Sequence, residues 1–255
     1  MVTTTDAQPA LFGPAPEPST SNPPERHAAD RWSRRLLLVV VVLLVLSLVM
    51  GALRVAGVDF PGLNSLERWL FVDRESGVPA WFSTVLLLLC AQALWRLADT
   101  SALGERRRWS SRERLLAAAF VYLSLDEATA IHEQTIRPLR RLLDLNGALS
   151  FSWIVLALPV TAALGLFMLG YLRALPRRSL VQFVLAGVLY VGGAAGVEMV
   201  GAVLWDAGSE ISTGYVLSVT VEEGLEMASL VLFLSAVNRL QLSVAKRQET
   251  PSARP

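Results

Sequence analysis

A chain of 255 residues, 53% of them hydrophobic and with a mean hydropathy of +0.46, is too apolar for an ordinary soluble domain. It is long enough for six or seven bilayer crossings of about 20 residues each. A net charge of +1 excludes nucleic acid or an acidic polymer as partner, because the loops take up the basic residues and leave no basic face.

In chain order, residues 1–30 are rich in Pro, Thr, Ser and Ala without apolar periodicity, which predicts a disordered tail. The run 36–53 is longer than a signal-peptide core and no A-x-A-like site follows, so it reads as a retained membrane helix. Further apolar segments at 80–98, 115–136, 152–172, 180–205 and 214–237 complete an all-α, polytopic six-helix membrane bundle over 31–240. Residues 241–255 read as a disordered C-terminal tail. The sole cysteine, Cys90, lies inside an apolar run and reads as a small buried hydrophobe.

The segment 115–136 is the difficult one, since its second half carries Asp126, Glu127, His132 and Glu133. The distribution of arginine arbitrates. With six crossings and both termini cytoplasmic, the inner side collects Arg31, Arg34 and Arg35, six arginines from Arg96 to Arg114, then Arg173, Arg177, Arg178, Arg239, Lys246 and Arg247. If 115–136 did not cross, the later clusters would change sides. Arg54, Arg68 and Arg74, then Arg137, Arg140 and Arg141, are left outside, and the stretch 137–149 reads as a short helix lying on the outer surface. Twenty-two of the 23 basic residues are arginine, as a GC-rich bacterial genome would give, so the membrane is expected to be a bacterial inner membrane.

An ionisable side chain in a membrane helix costs about 2.5–3.5 kcal/mol on insertion scales, so such groups face the bundle interior and mark a pathway or site. Eight stand in three segments: Asp126, Glu127, His132, Glu133, Glu198, Glu222, Glu223 and Glu226. At 100° per residue Tyr122, Asp126, Thr129 and Glu133 share one stripe, and Tyr215, Ser218, Glu222, Glu226 and Ser229 share another. Glu127 points elsewhere and is expected to pair with an arginine such as Arg137, and Glu223 to face headgroups. At about 1.5 Å per residue, the acids of all three helices fall in the outer half of the membrane or near its midplane. Gly187, Gly192, Gly193, Gly196 and Gly201 give the fifth helix a surface for close packing, with Gly193 and Gly196 flanking the turn that leads to Glu198.

So many carboxylates with no lysine or arginine in their helices need protons or a cation. One imidazole among carboxylates suits Zn, Mn, Fe or Mg, with Ca also compatible, and the expected ligands are Asp126, His132, Glu133, Glu198, Glu222 and Glu226. A di-iron bundle would need two Glu-x-x-His pairs, and His27 lies in the tail. Three roles fit: a metal-dependent membrane enzyme acting on a lipid-like substrate, a proton- or cation-coupled transporter, or a structural polar network. The Glu222-Glu223 pair begins a Glu-Glu-x3-Arg pattern of intramembrane peptidases, but Met227 stands at the arginine position and the later histidines are absent. Neither a Walker A loop nor a G-x-G-x-x-G run occurs, so no nucleotide cofactor is indicated.

Overall fold

The computed structural model describes residues 23–207 and 212–249, with side chains over 31–207 and 212–248. All regular structure among them is helical: α1 Pro23–Val55, α2 Leu63–Leu70, α3 Val78–Ala102, α4 Arg107–Thr129, α5 Ile131–Leu143, α6 Ile154–Arg173, α7 Arg177–Val191, α8 Glu198–Asp206 and α9 Thr213–Glu249. A single 3-10 turn covers Gly147–Leu149, and a π-helical turn, Gly192–Val197, joins α7 to α8 without a break. Five spans are long and apolar enough to cross a bilayer alone, and α4 with α5 passes the same test as a bent pair. The chain is an all-α membrane helix bundle of five or six crossings.

The outer helices of the sequence run further than their apolar cores. α9 continues to Glu249 because Leu240 and Val244 extend the buried stripe of Ala236 and Val237, and Gln248 Nε2 donates to Thr100 O at 2.7 Å. Residues 241–249, read from the sequence as tail, are therefore helical. α1 begins at Pro23, a residue suited to a first helical position, and runs through Ala- and Arg-containing residues that favour helix. The remainder of the expected tails, and part of the turn after Asp206, lie outside the described residues.

α3 and α9 form the centre. Leu86, Leu87, Cys90, Leu94 and Leu97 of α3 are fully buried, as are Met227, Leu230, Val231 and Val237 of α9, and Cys90 Sγ lies 3.5 Å from Leu230 O. α4 folds back along α3, held by Ser110 Oγ donating to Ala98 O and Ser124 Oγ to Thr84 O. α1 and α7 pack on α9. Phe120 of α4 stacks on Phe233 of α9 at 4.8 Å, which brings these two helices side by side next to α3.

Two local features set the site. The first is α2, absent from the sequence reading because eight residues are too few to register as a span. Its buried Glu67 receives Arg54 at 2.7 Å and Arg74 at 3.2 Å, while Val72 N donates to Ser47 Oγ. Together these pin the loop 71–77 over the bundle. The second is the end of α4: Ala130 takes φ 51°, a left-handed conformation, and α5 leaves at 79° to α4. The expected continuous helix over 115–136 is thus two helices. The surface helix expected over 137–149 starts earlier, at Ile131, and ends at Leu143.

Candidate functional site

The bend at Ala130 turns the start of α5 back onto the end of α4. Ala130 N donates to Asp126 O, and the Asp126 carboxylate then spans the bend. One oxygen accepts His132 N at 2.8 Å and the other lies 2.9 Å from His132 Nδ1. A carboxylate accepting a free backbone N–H in the first turn of a helix is favourable on hydrogen-bonding and dipole grounds alike. Here the same carboxylate also fixes the imidazole, so that Nε2 is the nitrogen left to bind anything else.

Around that ring three further elements converge. Trp153, just before α6, lies with its ring centroid 5.0 Å from that of His132 and donates Nε1–H to Glu198 Oε1 at 2.8 Å. From the pinned loop comes Glu75, whose carboxylate joins His132 and Glu133 in a group with one ligand atom of each within 4.8 Å of the others. Burial pushes the Glu75 carboxyl up to about 7; His132 opposes that rise, while Glu133, Asp126 and Asp73 add to it. Asp73, on the same loop, accepts the Tyr215 hydroxyl at 2.9 Å and so ties the loop to α9.

A second set of acids lies deeper. Glu127 interacts electrostatically with Glu75 and Asp126 on one side, and with Glu223 and Glu226 of α9 on the other. Glu222 neighbours Glu198 and Glu223, and Tyr190 of α7 stands beside Glu226. The close approach of α7 to α9 needs Gly193: a β-carbon there would lie 3.0 Å from Glu222 O and 3.3 Å from Glu226 Cγ. No arginine or lysine forms an ion pair with these acids among the described residues; Arg54, Arg74, Arg106, Arg114 and Arg140 pair with Glu67, Asp99, Glu113 and Asp206 instead.

The acids foreseen from sequence thus divide into an outer and an inner set. His132 and Glu133 fall in the close outer group, Asp126 holds the histidine, and Glu198 is joined to it through Trp153. Glu222 and Glu226 belong to the inner set. Three readings need correction. Asp126 and Glu133 do not share a helical stripe, since the bend intervenes; Asp126 bonds His132, and Glu133 groups with His132 and Glu75. Glu127 faces Glu223 and Glu226 rather than Arg137, and Glu223 faces carboxylates rather than headgroups. Sequence reasoning missed Glu75 and Asp73 because they lie outside the apolar segments; an acidic pair directly ahead of the Pro79 start of α3 was the available signal.

Residues 26–240 match the model of a family described as a domain of unknown function (DUF8692). The chain belongs to that family. The DUF8692 match takes in the 71–77 loop, the bend at Ala130, the π-helical turn and every acid of both sets. No curated protein and no solved structure matches the chain.

Proposed function

We propose that the chain binds a divalent cation at its outer centre through Glu75, His132 and Glu133, and uses it in a membrane enzyme acting on a lipid-like substrate. The carrying observation is the close group of these three ligand atoms around an imidazole whose other nitrogen is held by Asp126. Metal-binding histidines characteristically present this carboxylate–histidine pairing, which sets the tautomer and raises the basicity of the free nitrogen. Two carboxylates and one imidazole suit Zn, Mn, Fe or Mg, with Ca also accommodated. A cation held by these residues would supply a Lewis acid able to activate water as a nucleophile at neutral pH. Glu198 and the deeper Glu222 and Glu226 supply further carboxylates on the bundle side.

The membrane in this reading is a bacterial inner membrane with both termini cytoplasmic, which places the centre at the outer face. The orientation rests on the distribution of lysine and arginine between the two sides; on the outer side Arg54 and Arg74 share the single carboxylate of Glu67, and Arg140 pairs with Asp206. Labelling a cysteine placed at Asn146 from outside the cell checks it; protection there reverses the topology.

Metal analysis of detergent-purified protein tests the site. Stoichiometric metal is expected, abolished by Glu75→Gln with Glu133→Gln and retained by Glu222→Gln with Glu226→Gln. Protein that holds no metal and gains no thermal stability from Zn, Mn, Fe, Mg or Ca overturns the reading. A second reading, a proton or cation path, draws on one observation: Glu127 interacts electrostatically with Glu75 of the outer centre and with Glu223 and Glu226 of α9. Ion flux into proteoliposomes separates a transporter from an enzyme.

A further inference from the structure

α1 and α6 both face lipid, yet they pack in opposite ways. Along α1 a buried residue recurs every third or fourth position, at Val40, Leu43, Ser47 and Met50, as expected of a helix laid on a bundle by one face. Along α6 no residue is buried between Ile154 and Met168. Residues 158–163 are all exposed, Val160 at 68%. Six consecutive residues sweep more than one full turn at 100° each, so over this stretch no side of the helix is packed.

The ends of α6 are nevertheless fixed. At its outer end Ser152 Oγ donates to Ile136 O, Trp153 bonds Glu198 and Ile154 is buried. At its inner end Tyr171 is buried against Trp109 and Phe183. Pro159 supplies a cause for the separation between them: it lacks the N–H that would bond one turn back and its ring crowds the preceding turn, so the helix bows. The gap stands about 9 Å high at 1.5 Å per residue and lies in the half of α6 nearer the His132 centre. Behind it, Glu127, Glu198, Glu222, Glu223, Glu226 and Tyr190 all keep partial surface exposure although they sit among packed helices. An interior that open needs an entrance, and the unpacked flanks of α6 provide one.

We infer that the gap beside the middle of α6 is a lateral portal through which the acyl chain of a bilayer lipid enters the bundle, with its polar end at the carboxylate–histidine centre. The occupant follows from position: at this depth the surroundings are hydrocarbon, and α6 lines the opening with Leu158, Val160, Ala162 and Ala163. The inference takes the destination of the polar end from the proposed metal centre, but the entry of the chain does not depend on metal.

The test uses the full-length protein, chelator-treated, in nanodiscs of phosphatidylcholine carrying a photoactivatable diazirine at mid-chain. Adducts are mapped by peptide mass spectrometry. Exposed Leu38, Val41 and Val45 of α1 report contact with bulk lipid. Adducts on Tyr190, Glu127, Glu223 or Glu226 within about tenfold of those on α1 are expected. Adducts confined to α1 and other outward residues overturn the portal. So does a Val160→Cys variant that cross-links to a second copy with loss of lipid adducts on α6, because a helix of another chain then fills the gap. Since metal is removed throughout, this outcome is independent of the metal assay.

Discussion

Glutamates stand among packed helices at both ends of α4, and their neighbours differ in kind. Near the start of α4, Glu113 has no exposed surface and receives Arg106 NH2 at 3.1 Å; Arg106 also lies over the Tyr171 ring, 5.8 Å from its centroid. At the other end of the same helix, Glu127 faces Glu223 and Glu226, with no arginine or lysine among its partners. The Arg106–Glu113 ion pair lies within the start of α4, and Arg106 reaches α6 through the Tyr171 ring. The acids at the outer end lack any base except His132, itself engaged by Asp126, and so stay available to something outside the chain. Identical residue types thus fasten in one region and, under the proposed function, bind in the other, and the difference lies in whether the sequence supplies a counter-charge two helical turns away.

The largest effect is expected where the closed pair is opened. Arg106→Ala strands a fully buried carboxylate and is expected to cost about 3–5 kcal/mol in unfolding by denaturing detergent. Arg106→Met with Glu113→Leu is expected to recover most of that loss, because shape and neutrality return together. A small effect of Arg106→Ala would erase the distinction between the two regions. At the outer centre the corresponding change acts on binding. Asp126→Asn is expected to weaken cation affinity about 10–100-fold in a Zn or Mn titration, with the helical content unchanged by circular dichroism.

The division was only partly legible in the sequence. Apolar runs, arginine counts and the placement of acids in helices 115–136, 180–205 and 214–237 sufficed for the bundle and for a polar seam, because those signals act through burial and charge alone. Ala130 was not readable as a left-handed residue: alanine favours helix, and its conformation is held by the tertiary fold-back that Asp126 caps. Glu75 was hidden for a related reason. Its place at the centre depends on Glu67 gathering Arg54 and Arg74, a contact between a short helix and two loop-proximal arginines that no periodicity encodes.

Acidity gives an intermediate effect. Burial raises the Glu75 carboxyl to about 7, so a cation must displace a proton from it at lower pH. Proton uptake by Glu75 is therefore expected to add about tenfold per pH unit below 7 to the fall in affinity that protonation of His132 itself produces. Glu75→Gln is expected to remove the Glu75 part of that dependence along with most of the binding, leaving the part due to His132. A flat affinity between pH 5.5 and 7 would show that Glu75 is not a ligand.

The smallest effect concerns the inner acids, where the contrast with Glu113 is sharpest. Glu223 faces Glu127 and Glu226 and no base, so its carboxylate adds repulsion without a compensating ion pair. Glu223→Gln keeps the shape and hydrogen-bonding capacity of the side chain and removes the charge. It is expected to leave the metal-free protein at least as stable as before, read in the same detergent titration used for Arg106→Ala. The sign carries the argument more than the size. If Glu223→Gln instead destabilises the protein as a break in the Arg106–Glu113 pair does, then Glu223 is already balanced by a cationic partner, and the inner acids fasten helices just as Glu113 does.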